Sequence, residues 1–451
     1  MGVTPYGEDT SGNQYKTVAQ IWEEAAEQGT NYRTLTAKHR YNVVKNCSGD
    51  DFIPESELKK VKSVGKGSFA SVDVCEYQGR LVAVKHLTPT ANPESQEQLE
   101  DFAREATLLR ALEHRNIVNY IGYGHDKPGP TDAEVAAKPT MAAYIVTENL
   151  ECGTLRDKVL NQMVNPNKGL YSSEQAVQWL VDIADALLYM HTLTPAVVHR
   201  DLKLENILLR SPGPESAEEA VISDFGLHTL LSKSGAHSPS PDTSIHTFAN
   251  SQDSQIGLQQ GRTQHLDQAL QKTGLYVSQH NSPMEASRRA GTAYLNMRSS
   301  SQEFDLTHKT GSFMYMAPEV FKERKYNEKV DVFSFGVVIY ELLIRQVTSA
   351  VVSQSGDVNM PQLYANKVAN GYRRPIPPQW PSSLRTLVET CWAMTPEKRP
   401  AMKLVLKTLK DLQSKPEELR TLDPHGGGSS MASGLARMNS SRNKKGCCVV
   451  M

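Results

Sequence analysis

The stretch 197–209, Val-Val-His-Arg-Asp-Leu-Lys-Leu-Glu-Asn-Ile-Leu-Leu, sets three chemically capable side chains close together. Apolar residues flank its charged centre, which predicts a loop carried between two short buried strands. Asp201, Lys203 and Asn206 then project from one turn. A carboxylate can take the proton of an attacking hydroxyl, an ammonium can meet a phosphate, and an amide oxygen can hold a metal ion. The set therefore suits phosphoryl transfer. Asp224-Phe225-Gly226 follows the strand-like Ala220-Val221-Ile222. A second carboxylate beside a permissive glycine suits a Mg²⁺ ligand on a hinge. Either motif alone could be a solvated charge cluster in a turn; the ordered pair makes that explanation poor.

Other elements must position these groups. Val64-Gly65-Lys66-Gly67-Ser68-Phe69-Ala70-Ser71-Val72 lies between two alternating stretches. Glycines there let backbone N–H groups approach phosphate oxygens, although two glycines alone more often mark a hairpin. Leu81-Val82-Ala83-Val84-Lys85 predicts a buried strand ending in an ammonium. Leu99, Phe102, Ala106 and Leu109 recur at helical spacing, with Glu105 beside the stripe. Taken singly, Lys85 is an edge-strand lysine and Glu105 a solvated helix residue. Residues 125–143 are rich in Pro, Gly and Ala and predict a surface loop before the strand Tyr144-Ile145-Val146-Thr147. Ser172-Ser173-Glu174 caps a helix whose apolar face is Ala176, Leu180, Ile183 and Leu187.

Together with Ala317-Pro318-Glu319, the hydrophobic Asp331–Gly336 segment, Cys391-Trp392 and Pro396-Glu397-Lys398-Arg399-Pro400, these motifs resemble the protein kinases over roughly 58–415. The resemblance implies an α+β, bilobal protein-kinase fold. A small β-rich N-lobe would occupy 58–149 and a larger helical C-lobe 150–415, after an N-terminal extension at 1–57. It implies ATP and Mg²⁺ as cofactors. Val64, Gly65, Gly67 and Ser68 would cover the phosphates. Val72, Ala83 and Leu208 would sandwich adenine, Thr147 would be the gatekeeper, and Glu148 and Leu150 would belong to the hinge. Lys85, held by Glu105, would position the α- and β-phosphates. Asp201 would orient and deprotonate the substrate hydroxyl, Lys203 would steady the γ-phosphate, and Asn206 and Asp224 would hold Mg²⁺. Leu109, Tyr120, His199 and Phe225 resemble the hydrophobic stack of active kinases. Glu319 would pair with Arg399, and Asp331 would anchor the loop around Asp201.

Two positions depart from the pattern: Ala70 stands where a third glycine is usual, and Ser312 where threonine is usual. Lys203, two residues after Asp201, resembles serine/threonine rather than tyrosine kinases. The segment Thr310–Phe321 with Cys391-Trp392 is similar to the tyrosine-kinase-like group, in particular its Raf-like, plant-type members. That implies a signalling kinase acting on protein serine and threonine hydroxyls, itself subject to an upstream activating kinase. The alternative is a pseudokinase or scaffold that keeps the fold for binding. Intact Lys85, Asp201, Asn206 and Asp224 argue against it. The Ala317-Pro318-Glu319 substrate platform argues against a small-molecule kinase.

Between Asp224 and Glu319 the chain is far longer than such a segment usually is. Residues 229–308 are rich in Ser, Thr, Gln and His and poor in large apolar residues, which predicts a disordered insert in the activation segment. Its histidines have no metal-site spacing. Thr307 and Thr310 lie nearest its C-terminal end, and Ser238, Ser240 and Ser282 each precede proline. All five are phosphorylation candidates, with Arg200 as the residue that would meet the phosphate.

Composition bounds the rest. A net charge of −1 over 451 residues gives no global sign of nucleic-acid binding. Cysteines at 47, 75, 152, 391, 447 and 448 form no C-x-x-C pair, which predicts a reducing compartment and no zinc site. No run is long enough to span a membrane, and the N-terminus is no signal peptide. It begins like a myristoylation site, but Tyr6 stands where Ser or Thr is wanted. Residues 416–451 predict a flexible basic tail. Its end, Cys448-Val449-Val450-Met451, fits a prenylation box, with terminal Met favouring farnesyl, and Cys447 could take a palmitoyl chain. Farnesyltransferase and an anionic membrane surface are then expected partners, with the protein on the cytosolic face of a membrane.

Overall fold

The computed structural model of the protein describes residues 51–66, 70–87, 95–125, 143–193, 196–211, 217–226, 229–231, 312–352 and 359–422. Gly67, Ser68, Ser238, Ser240, Ser282, Thr307, Thr310, Cys447 and Cys448 lie outside the described residues, as do most of 1–57, 125–143 and 229–308.

Alternation of β-branched and apolar residues builds β1 (Lys59–Lys66), β2 (Ala70–Tyr77) and β3 (Arg80–Leu87). Gln78 and Gly79 join β2 to β3 with φ of 48° and 75°, the backbone of a two-residue type I′ turn. With β4 (Tyr120–His125) and β5 (Ala143–Glu148) they form one antiparallel sheet, order β1-β2-β3-β5-β4. The two-residue period then separates the faces. Val82, Val84, Tyr144 and Val146 pack with Ile53 and Cys75 on one side. Val72 pairs with Lys85, Ala83 with Thr147 and Lys85 with Ile145, so these residues share the other side. Ile53 is fixed by the Tyr144 hydroxyl, which donates to its carbonyl at 2.6 Å. Gly124 permits that contact, since a Cβ there would sit 2.3 Å from the Tyr144 ring.

Helix α1 (Ser95–Ala111) lies beside β4 and buries Phe102, Ala106, Leu108 and Leu109. Glu105 is buried on the same helix.

The second lobe is helical. Thr154 caps α2 (Leu155–Val164), its hydroxyl accepting from the Asp157 N–H at 3.0 Å. Ser172 caps α3 (Ser173–Thr192) in the same way through Gln175, at 3.1 Å. Ala176, Leu180, Ile183 and Leu187 of α3 are all buried, and so is Trp179, whose indole donates to the Glu218 carbonyl. Each such large apolar side chain contributes roughly 1.5–3 kcal/mol. Strands β6 (Ala196–Val198) and β7 (Ile207–Arg210) bracket the Asp201 turn. β7 pairs with β8 (Glu219–Ile222), and β6 with β9 (Thr229–Leu231), which the first residues of the insert form. There follow α4 (Pro318–Phe321), α5 (Lys329–Ile344), α6 (Thr348–Val352), α7 (Met360–Ala369), α8 (Ser382–Cys391), α9 (Met402–Gln413) and α10 (Pro416–Arg420). Leu419 and Leu422 are buried in the common core, so packing runs past residue 415.

Candidate active site

The sheet and α1 bring Lys85 and Glu105 together. Lys85 Nζ donates to Glu105 Oε1 and Oε2, both at 2.8 Å, and to Asp224 Oδ1 at 2.9 Å. One ammonium thus joins β3, α1 and the segment after β8. Burial alone would lower the Lys85 pKa, but the Asp224 and Glu105 carboxylates outweigh it and raise it. The Lys85 charge, against the opposing effect of burial, holds the Asp224 carboxyl well below the usual range. Asp224 has φ of 62°, a left-handed conformation uncommon for a residue with a Cβ and frequent at functional sites.

A second cluster forms around Asp201. Lys203 Nζ donates to Asp201 Oδ2 at 2.5 Å and to Ser312 Oγ at 3.2 Å. Ser312 Oγ donates to Asp201 Oδ1 at 2.9 Å. Asn206 Nδ2 donates to the Asp201 carbonyl at 2.8 Å and to Oδ2 at 3.1 Å, which fixes the amide plane. Burial would lower the Lys203 pKa, and the Asp201 carboxylate reverses this.

The turn is held from below. The backbone N–H groups of His199 and Arg200 donate to Asp331 Oδ2 and Oδ1, each at 2.9 Å. His191 Nε2 also lies 2.9 Å from Asp331 Oδ2. Burial alone would raise the Asp331 pKa; the His191 contact and His199 bring it below the ordinary value. Arg200, at φ 68°, places its guanidinium 5.5 Å from the Tyr326 ring. His199 and Phe225 are fully buried with ring centroids 4.9 Å apart; Leu109 joins the same core, and Tyr120 packs against it.

The residues expected around adenine are distributed as follows. Val72, Ala83 and Thr147 share the sheet face of Lys85, and Leu208 lies on β7, bridged to Thr154. Leu150 packs against the core. Val64 is exposed on β1, and Gly65 pairs with Val72. Glu148 has a second role that spacing did not suggest. Its carboxylate accepts the Asn119 N–H at 2.9 Å and pairs with Arg210, tying the start of the connection between the lobes to β7.

Farther out, Arg399 forms a bidentate pair with Glu319, at 2.6 and 2.8 Å, and both are buried. The Tyr315 hydroxyl donates to buried Glu341, whose other oxygen accepts the Thr348 N–H at 2.7 Å. Nothing in the local spacing of Ser312, Tyr315 or Glu341 announces these contacts.

Asn206 and Asp224 fit a hard cation. Asp224 is kept ionised by Lys85, and the hydrogen bonds of Asn206 Nδ2 leave its amide oxygen as the remaining donor atom. Two protein oxygens with substrate phosphates are the usual provision for Mg²⁺.

The family model described as "Protein kinase domain" matches residues 58–249, and that described as "Protein tyrosine and serine/threonine kinase" matches 294–409. Serine/threonine-protein kinase VIK of Arabidopsis thaliana is 27% identical over 376 residues, 82% of this chain and 64% of that protein. Putative mitogen-activated protein kinase kinase kinase 7-like of Drosophila melanogaster is 27% identical over 77% of this chain and 64% of its own length. Serine/threonine-protein kinase STY17 of Arabidopsis thaliana is 23% identical over 83% of this chain and 48% of its length. The chain thus spans about two thirds or less of these relatives. Two matched family models, relatives of the tyrosine-kinase-like type and the two clusters around Lys85 and Asp201 lead to one placement: the chain belongs to the protein kinase family.

Proposed function

We propose that this chain is an ATP-dependent protein serine/threonine kinase, tethered by a C-terminal lipid to the cytosolic face of a membrane. The observation that carries the catalytic part is the pair of polar clusters. Glu105–Lys85–Asp224 secures one cation across three elements, and Asn206–Asp201–Lys203–Ser312 fixes one carboxylate from three sides.

Lys85 meets the α- and β-phosphates of ATP. Asp201, oriented by Ser312, Lys203 and Asn206, aligns the substrate hydroxyl and takes its proton. Lys203 steadies the γ-phosphate as the bond to the leaving oxygen breaks. When bound, Mg²⁺ held by Asn206 and Asp224 supplies positive charge to the phosphate oxygens. Catalysis is then positioning and electrostatic stabilisation by groups set before substrate arrives. The names of the relatives support a place in a phosphorylation cascade under an upstream kinase. Arg200 beside Asp201 is the residue to meet a phosphate added to the long segment before Glu319.

The tether rests on the tail sequence: Cys448-Val449-Val450-Met451, Cys447 beside it, and basic residues upstream. Farnesyltransferase would attach the lipid, and anionic lipid would meet the basic residues.

The test of catalysis is phosphate transfer from labelled ATP to a peptide library by purified full-length protein. Asp201→Asn should keep ATP binding and lose about 10²–10⁴-fold in rate, the usual worth of a general base. Undiminished transfer by that variant would refute the assignment.

A further inference from the structure

Three arginines of the helical lobe line a cavity of about 330 Å³ formed by the loop after α7, by α8 and by the residues that follow α8. None of them belongs to the catalytic clusters. Arg373 sends Nε to the Trp392 carbonyl at 2.8 Å and Nη1 to the Val368 and Tyr372 carbonyls at 2.8 and 2.6 Å. Its Nη2 reaches only the Met394 sulfur, at 3.3 Å, a weak acceptor. Arg374 is only 6% exposed. It donates from Nη1 to Thr348 Oγ1 at 3.1 Å and from Nη2 to Gln346 Oε1 at 2.7 Å, while its buried Nε has no partner. The Nε of Arg385, on α8, is likewise buried without a partner.

Among the described residues none of these three guanidiniums forms an ion pair. Elsewhere in the lobe buried guanidiniums do: Arg399 with Glu319, and Arg156 with Glu205 at 2.9 Å. Arg374 is buried and Arg373 and Arg385 are partly buried; the Phe333 and Tyr340 rings, 5.0 and 4.7 Å from the Arg373 and Arg374 guanidiniums, ease these charges without supplying a counter-ion. Burial depresses even the Arg373 pKa, to about 10. One acid, exposed Glu389, shares the cavity wall. The wall therefore carries two more positive than negative charges, which matches the roughly −2 charge of a phosphoryl group and exceeds that of a carboxylate. Guanidinium forks suit phosphate oxygens. Met394 and Ile376 add an apolar margin that a peptide, rather than a free ion, would cover.

We infer that this cavity docks a phosphorylated serine or threonine of a peptide segment, apart from the site of phosphoryl transfer. The phosphate can belong to this chain or to a partner; the chemistry recognised is the same.

The probe is a fluorescein-labelled peptide carrying one phosphoserine, titrated by anisotropy into dephosphorylated full-length protein. Saturable binding is expected, displaced by inorganic phosphate and about tenfold weaker for the serine counterpart, as the loss of charge-assisted hydrogen bonds implies. Arg385→Gln should weaken it by about tenfold, with a melting temperature close to that of wild type, since Arg385 is only partly buried. Arg373→Lys, which keeps the charge and loses the fork, is the second variant. Asp201→Asn, which should slow transfer by about 10²–10⁴-fold, should bind the peptide as wild type does, so docking and catalysis fail separately. Protein phosphorylated on its own chain should bind the added peptide less well if the occupant is intramolecular, and equally well if it comes from a partner. Equal affinity for the serine and phosphoserine peptides overturns the inference. So does unchanged binding in both Arg385→Gln and Arg373→Lys.

Discussion

Ser312 donates its hydroxyl hydrogen to Asp201 Oδ1 at 2.9 Å. Ser312 is the first described residue after the long insert, and Asp201 is the proposed base. The contact links the segment's return into the fold to the orientation of one carboxylate. Lys203, bonded to both, closes a three-membered cluster. Ser312→Ala should lower kcat by about tenfold, the scale of one hydrogen bond to a charged group, with little change in the KM for ATP. Ser312→Thr, which keeps the hydroxyl, should restore it. Steady-state kinetics on one peptide substrate decides the matter; an unchanged kcat in Ser312→Ala would show that the contact does not position the base.

Arg399 and Glu319 make a different demand. Their pair is buried and bidentate, and Arg399 also donates to the Ala393 and Lys329 carbonyls, both at 2.9 Å. Arg399→Ala would strand a buried carboxylate, at a cost of about 3–5 kcal/mol. Arg399→Lys should rescue little, because a lysine lacks the fork that serves four acceptors. Chemical denaturation of the purified protein measures both; a loss below 1 kcal/mol for Arg399→Ala would mean that the pair behaves like a surface bridge.

Much of this architecture is legible in the residue pattern, for stated reasons. The apolar residues around Asp201 appear as β6 and β7 because a charged turn needs buried strands on both sides. Ser172 appears as a cap because its hydroxyl satisfies an otherwise unpaired N–H. Lys85 and Glu105, paired only by resemblance, lie 2.8 Å apart. What spacing cannot supply is the direction of a side chain across many residues. Glu148 has its hinge place from the residue order, but not the contacts of its carboxylate with Arg210 and the Asn119 N–H. Ser312 stands in the sequence only as a serine where threonine is usual, and its bond to Asp201 spans a separation that no periodicity encodes. That Arg373, Arg374 and Arg385 line one cavity without an ion pair emerges only from the folded arrangement.

Asp182 gives a pH prediction. Its carboxylate is buried on α3, accepting from the Ala220 N–H at 3.0 Å and from Gln178 Nε2 at 2.8 Å. Burial outweighs those bonds and lifts its pKa from 3.8 to about 6. The folded state therefore holds this proton more tightly than the unfolded chain. The stability that results is complete below the unfolded value and is lost as pH rises through about 6. The span corresponds to about 3 kcal/mol at most. Asp182→Asn should flatten the stability profile between the two pKa values, and urea denaturation at several pH values would show it. An identical slope in wild type and variant would place the titration elsewhere.

The tail offers the last prediction, on localisation. Cys448-Val449-Val450-Met451 alone could be a chance ending with a free thiol and three apolar residues. Its surroundings favour an anchor. Gly426-Gly427-Gly428-Ser429-Ser430 would present it to a transferase, and Arg437, Arg442, Lys444 and Lys445 are the only charged residues after Asp423. One lipid chain gives marginal, reversible binding, so a second signal is needed. Near anionic lipid each basic residue adds about 1 kcal/mol, so the four would supply roughly 4 kcal/mol at most, and less as screening by salt grows. A palmitoyl chain on Cys447 would strengthen attachment further. Intact-mass measurement of protein from eukaryotic cells should find residues 449–451 removed and a farnesyl group on Cys448. Cys448→Ser should move the protein from the membrane to the soluble fraction, Cys447→Ser should weaken or redirect attachment, and neutralising the four basic residues should make it salt-sensitive. Membrane association that persists unchanged in Cys448→Ser, in cells with active farnesyltransferase, would exclude this anchor.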